Sequence, residues 1–414
     1  MSVGERPRVI AVPMQGFAQW GGGIGFIRLM LEGLLHDPAA QVVVLIPRPT
    51  WRQILRYQAG TWWRFFKALA HGEFRWSPAR PASPAAVQAG IEDFLPRLAV
   101  CLYPDSPRGL AAVLRESGAE VAIPCFEPMG ADCPVPWVGY LYDFQHHHLP
   151  EFFSDKERLT RDAAFTRMLE AAPAVICNSD EVRNDAERFH PRSAGKMVVL
   201  PFTPVPRPEW FELDPRAVAR QYGLPERYFI VCNQFWIHKD HPTALRAFAE
   251  FLSRGGDPGM ALVCTGSQDD FRAVTYFDSI KQLITSLGLE GRVHLLGHIP
   301  KLDQAALLRG AVALLQPTLF EGGRGGGAVY DAVALGVPSL VSDIAVNREL
   351  ADGSCRFFTQ REPASLAALM LEVAASVPPR PTREELVARA HELVGDLSLA
   401  LRAAIAKAVD HRGA

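Results

Sequence analysis

The densest concentration of chemistry-bearing residues lies at 316–343, QPTLFEGGRGGGAVYDAVALGVPSLVSD. An apolar run ends at Pro317. Glu321 follows, and then five glycines (Gly322, Gly323, Gly325, Gly326 and Gly327) around Arg324. A helix is predicted over 328–335, then Gly336–Val337–Pro338 and a new strand. A plain turn needs one or two glycines, not five beside a carboxylate and a guanidinium. Free backbone amides at a helix start attract phosphate, and a carboxylate accepts from sugar hydroxyls. The stretch therefore has the means to grip a sugar and its diphosphate together.

Three further stretches carry candidate groups. In NQFWIHKDH (233–241) Lys239 is a point charge suited to a diphosphate, although a solvated loop capped by Asp240 explains the same residues. The loop Gly21–Gly22–Gly23–Ile24–Gly25 lies between a strand and a helix. There a missing Cβ lets backbone approach a ligand and the helix start favours phosphate. Its spacing is not G-x-G-x-x-G, and a tight turn is the competing reading. In WVGYLYDFQHHHLP (137–150), Asp143, Gln145 and His146 stand at the carboxyl end of a predicted strand. The three histidines suggest a metal. Consecutive residues on a regular element cannot all face one ion, and no carboxylate at helical spacing completes a set. The expectation is no metal and a single cleft histidine, His146.

These stretches sit at the ends of short apolar runs that alternate with longer amphipathic ones. Strands are predicted at 9–13, 42–46, 98–102, 121–125, 137–142, 174–178 and 197–200, and again at 228–233, 261–265, 293–296, 311–317 and 338–342. Helices are predicted near 24–36, 84–97, 157–172, 180–189, 241–254, 271–287, 302–309 and 328–335, with Ser179 capping one of them. Continuous apolar strands separated by helices imply parallel sheets covered on both faces. The expected fold class is α/β, two Rossmann-like domains facing across a cleft. The first spans 1–200 and the second 216–382. The proline-rich 201–215 links them, and 383–414 is a C-terminal helical region. Ligands of open parallel sheets bind at the strands' carboxyl ends.

Composition narrows the partners. A 414-residue chain has room for two or three domains. A net charge of −2 gives no overall pull toward nucleic acid, so none is expected as a partner. Seven cysteines show no metal-like spacing, and Cys101, Cys177, Cys232 and Cys264 lie in apolar runs. They read as core residues of a reducing compartment. With no secretory h-region and no membrane-length apolar run, the expected location is cytoplasmic. Residues 51–76, WRQILRYQAGTWWRFFKALAHGEFRW, are the exception to a bland surface. Their basic and aromatic content fits an interfacial helix, peripheral on the inner face of a membrane. An inward-packed helix with a basic outer face is the competing reading.

The 316–343 stretch resembles the signature of the retaining GT-B-fold glycosyltransferases of family 4, an E-G-[FW]-G stretch, a second acid and A-x-x-x-G-x-P. CNSDEV (177–182), CTGSQDD (264–270) and RVHLLGHIP (292–300) resemble further family segments in the same order. The resemblance implies a nucleotide-sugar donor with a uracil or guanine base, a glycan or lipid-linked acceptor, and no cofactor or metal. It assigns the acceptor to 1–200 and the nucleotide sugar to 216–382, and places Glu321 at the donor sugar and Lys239 at the diphosphate. Gly22 and Gly23 touch donor phosphate, Gly266 belongs to the second glycine loop, and His298 and Ile299 meet the base. The family's usual arginine is replaced by Asn233 and Gln234, and Arg324 is our candidate for the missing charge. Val329 stands where the second acid is usual; Asp331 serves if the glycine loop is two residues longer. His146, Lys239 and Glu321 are thus the expected catalytic set. Gly322, Gly323, Gly325 and Gly326 are the expected amide donors. A sugar-nucleotide epimerase or phosphorylase on the same fold, and a catalytically weakened binder or assembly protein, are the rival readings.

Overall fold

The computed structural model describes residues 9–70, 83–130, 132–268, 273, 275–350 and 352–413. The first sheet comprises β1 (Val9–Pro13), β2 (Gln41–Arg48), β3 (Ala99–Pro104), β4 (Val121–Cys125), β5 (Trp137–Tyr140), β6 (Ala174–Cys177) and β7 (Met197–Val199). The second comprises β8 (Tyr228–Cys232), β9 (Ala261–Thr265), β10 (Val293–Gly297), β11 (Leu314–Gln316), β12 (Ser339–Ser342) and β13 (Cys355–Phe358). Their spatial orders are β3-β2-β1-β4-β5-β6-β7 and β10-β9-β8-β11-β12-β13, and the pairs are parallel. This is the doubly wound GT-B arrangement.

Alternation along each strand feeds two cores per sheet. Val12, Val44, Ile123 and Ile176 face one way, toward the helix Gly23–Leu35. Ala11, Val43, Leu45 and Val175 face the other. The second sheet divides likewise, with Ile230 and Val263 on one face and Phe229, Val231 and Leu262 on the other.

Several boundaries differ from expectation. Residues 84–97 form a helix Pro84–Ala89 and a 3-10 helix Glu92–Arg97, interrupted at Gly90 and carrying Pro96 inside the second piece. The predicted helix 271–287 is Tyr276–Ser286, its expected start lying partly outside the described residues. β13 was not foreseen. It is the sheet's edge strand, and its exposed Phe357 and half-buried Arg356 break the buried-strand pattern. The 201–215 segment is not a free tether. Trp210 is buried in the second half's core, and Arg309 donates to the carbonyls of Trp210 and Leu213. The helix Arg383–Gly413 returns to the first half, where Leu397, Leu401 and Ile405 enter the core beside Ile27 and Leu31. Gly33 makes room for it: a Cβ there would lie 2.7 Å from Leu401 Cδ1.

Candidate active site

The central strands β8 and β11 are neighbours, with Ile230 opposite Leu314. Their carboxyl ends therefore deliver Asn233 and Gln316 side by side. Asn233 Nδ2 donates to Gln316 Oε1 at 2.8 Å. Gln316 Nε2 donates to the Gly325 carbonyl at 2.9 Å and to Glu321 Oε1 at 3.1 Å. Lys239 Nζ lies 2.5 Å from the same Glu321 oxygen. Lys239 ends the 3-10 turn Ile237–Lys239. The two loops are stitched together where the amide of Leu319 and the hydroxyl of Thr318 donate to the His238 carbonyl. Lys239 and Glu321 retain about a tenth of their side-chain exposure (13% and 10%), enough to meet a ligand without being fully solvated.

The glycines around Glu321 divide by task. Gly325 and Gly326 have φ of +70° and +67°, the left-handed region that favours glycine. A Cβ at Gly326 would lie 2.7 Å from Glu321 Oε2, so only glycine leaves the carboxylate its place. The amide of Gly325 donates to Asn347 Oδ1 at 2.9 Å and that of Gly326 to the Gly323 carbonyl at 3.1 Å, so we correct their expected role as phosphate donors. Here the helix Gly326–Ala334 begins, with no acid in its first turn and with Gly327 exposed. Gly322 and Gly323 serve a different end. Their Cβ positions would meet the Tyr142 carbonyl at 2.1 Å and Asn178 Cβ at 3.1 Å. They allow the two halves to touch, and Ser179 Oγ donates to the Gly322 carbonyl at 3.2 Å. Close approach is thus what requires glycine at 322 and 323, and it leaves the expected role of their backbone amides untouched.

Arg324 is a second correction. Its guanidinium is buried and directed into the first half, donating to the carbonyls of Leu200 (2.9 Å) and Asn178 (3.2 Å) and pairing with Glu349 at 3.1 Å. Glu349 in turn accepts from the amides of Asp180 and Glu181 at the start of the helix Asp180–Phe189. The charge holds the halves together and is not offered to a diphosphate.

His146 is a third. It is 2% exposed. Its Nδ1 accepts from Arg161 Nε at 3.2 Å, so Nε2 carries the proton and donates to Asp162 Oδ1 at 2.8 Å. Burial pushes its pKa down. The histidine run is dispersed over the short helix Gln145–His148. His147 also reaches Asp162, whereas His148 pairs with Asp185 at 2.6 Å and packs 5.2 Å from the Phe320 ring. His148, not His146, is the member beside the Glu321 loop. The hydrogen bond to Asp185 raises its pKa. The run does approach ion-holding geometry, with ligand atoms of His146, His147 and Asp162, and of His148, Glu181 and Asp185, within 4.8 Å of one another.

The remaining expected residues fall around the same cleft. Gly22 caps the helix Gly23–Leu35, and Gly21 and Gly22 are exposed. A Cβ at Gly21 would lie 3.3 Å from Gln234 Nε2, so the first glycine loop meets the Lys239 loop across the cleft. Gly23 is fixed by a turn: its Cβ would lie 1.9 Å from the Phe17 carbonyl. Gly266 has φ +139° and packs its α-carbon on the Asn233 carbonyl. His298 is exposed, but the Ile299 side chain is in the core, so any base contact there is left to backbone. Asp331 pairs with Lys301, two residues beyond Ile299, which sets the carboxylate beside that loop. Residues 269 and 270 of the CTGSQDD segment lie outside the described residues.

Gln316 was missed by sequence reasoning. Its signal was an amide inside an otherwise apolar strand run, and such a group must find partners when buried. Asn347 and Glu349 gave no signal beyond being polar.

This arrangement was compared with known proteins. Residues 219–392 match the family model Glycosyl transferases group 1. The match covers β8 to the C-terminal helix and so contains Lys239, Gln316 and Glu321. No curated protein sequence matches the chain. Among solved structures, Anabaena Alr3699/HepE in complex with UDP and glucose superposes with a TM-score of 0.60 at 15% identity, over 96% of this chain and 98% of that one. Sucrose-phosphate synthase from Thermosynechococcus elongatus gives 0.59 at 16%, over 98% of each chain. WaaG, a glycosyltransferase involved in lipopolysaccharide biosynthesis, gives 0.54 at 15%, over 96% and 98%. The likeness extends across both halves, and the segment that matches the group 1 model is the one that carries the Lys239–Glu321 pair.

Proposed function

We propose that the chain transfers a sugar from a UDP- or GDP-sugar to a glycan or lipid-linked acceptor with retention at the anomeric carbon. The observation that carries this reading is the Lys239–Glu321 pair, locked by Gln316 at the start of a glycine-led helix. In the free protein the two charges satisfy each other. A donor lets them part: Lys239 turns to the diphosphate, and Glu321 accepts from sugar hydroxyls. The amides that follow Gly326 in the first turn of that helix take phosphate oxygens. With Arg324 engaged at the seam, stabilisation of the leaving diphosphate falls to Lys239 and these amides. Such charge stabilisation is usually the largest catalytic contribution. The bond from the anomeric carbon to the diphosphate oxygen breaks and one to the acceptor oxygen forms on the same face. The acceptor's proton passes to the departing phosphate. UDP in the Alr3699/HepE structures supports a nucleoside diphosphate donor.

The test is donor consumption with and without envelope-glycan extracts, with the product anomer read by NMR. Acceptor-dependent consumption with the donor's configuration kept supports the reading. Acceptor-independent interconversion of the donor would replace it with an epimerase, and an inverted product would remove retention.

A further inference from the structure

Among the described residues, exposed large apolar side chains are scattered singly over the surface except on one element. The helix Trp51–Ala70 presents Trp51 (65% exposed), Ile54 (40%), Leu55 (53%) and Trp62 (51%). At 3.6 residues per turn these four fall within an arc of about 100°. The helix is held to the first half by a different side: Gln53 Nε2 donates to Asp105 Oδ2 at 2.7 Å, Tyr57 is half-buried and Thr61 is buried. Those three recur every fourth residue and mark the packed side; the apolar arc begins beside it, at Ile54, and runs on through Trp51 and Trp62 to Leu55. None of the helix's residues is acidic, while Arg52, Arg56, Arg64 and Lys67 are basic, and Arg56 is exposed.

We infer that this helix seats the protein on an anionic lipid surface, with Trp51, Ile54, Leu55 and Trp62 entering the headgroup–acyl boundary. Apolar side chains in one arc, tryptophan among them, with the basic residues off that arc, are the features that hold a helix in that plane. The charge decides between occupants. A second copy docking through the same helix would bring together two helices that each carry four basic residues and no acid, which costs repulsion. Anionic headgroups meet it with opposite charge, each basic residue near the surface contributing about fivefold in binding. Among the described residues no helix is long and apolar enough to cross a membrane, so the contact is one of lying on the surface. The inference rests on this helix alone and stands whether or not the cleft takes the donor proposed above. Residues 71–76, which continue the basic aromatic stretch, lie outside the described residues.

The test is co-sedimentation of the full chain with vesicles of phosphatidylcholine alone and of phosphatidylcholine mixed with phosphatidylglycerol. The expected result is binding to the mixed vesicles that weakens as salt rises. Trp51→Ser with Trp62→Ser should lose it by roughly tenfold or more, and Arg56→Glu by at least roughly fivefold. Unchanged thermal melting of each variant would show that the fold is kept. Wild-type protein that stays in the supernatant with mixed vesicles overturns the inference, as does binding untouched by both variants. So does a concentration-dependent dimer in sedimentation velocity that Trp51→Ser with Trp62→Ser disperses, because the occupant is then a second copy.

Discussion

The two lips of the cleft are both made at carboxyl ends of parallel strands, and both carry charged side chains, yet they are organised in opposite senses. On the second half, Asn233, Lys239, Gln316 and Glu321 come from two adjacent strand ends and converge on one carboxylate oxygen and one carbonyl. On the first half, three consecutive histidines split between two carboxylates, His146 and His147 at Asp162 and His148 at Asp185, and the best placed by sequence, His146, is closed off by Arg161 and Asp162. Convergence follows from neighbouring strands, whose loops open at the same level of the sheet. Divergence follows from the helix, where successive side chains point about 100° apart. The same contrast separates the two cations nearest the glycine loop. Lys239 stays at the lip with an exchangeable partner, and Arg324 is spent on the seam between the halves.

The comparison breaks if the convergent lip proves dispensable. Lys239→Ala should lower kcat by roughly 10²–10³, the usual loss when one charge-stabilising group is removed. Steady-state kinetics checks it, and full activity in this variant would end the assignment.

Gln316→Leu sharpens the same point, because it leaves both charges in place and removes the amide that positions one of them. We expect kcat to fall roughly tenfold with KM little changed, and stability to drop by about 1–3 kcal/mol as Asn233 and the Gly325 carbonyl lose their partner. Equal losses in kcat and stability-corrected binding, with KM rising in step, would mark Gln316 as merely structural.

His146→Gln should have the smallest effect on turnover, within about threefold, while losing about 1–3 kcal/mol of stability from the buried contact to Asp162. Denaturant melts and kinetics on one preparation separate the two. A large kcat loss without destabilisation would return His146 to the chemistry.

The lips also differ in how far their sequences could be read. Lys239 and Glu321 were legible because residue type, the preceding apolar run and the following helix agreed. β8, β9, β11 and β12 were legible because strands buried on both faces read as unbroken apolar runs. β13 was not, since an edge strand need be covered on only part of its surface. Residues 84–97 have helical composition throughout, but Gly90 and Pro96 divide them. Arg324 has the same type and spacing whether its guanidinium turns to the cleft or to the Leu200 carbonyl, and only the fold decides. Gly322 and Gly323 are similar: glycine permits close approach without saying whether a phosphate or the Tyr142 backbone will arrive. Gln316 was hidden inside its strand, where a buried amide adds no periodicity.

The most direct test of the central claim is thermal unfolding of the intact chain against a panel of nucleotide sugars, for wild type and Glu321→Ala. One nucleotide sugar should stabilise the wild type selectively, by about 2.7 kcal/mol at a hundredfold excess over its dissociation constant, and should do so less in Glu321→Ala. No shift with any donor at millimolar concentration, or a shift that Glu321→Ala leaves intact, would contradict the assignment of this lip as the donor grip.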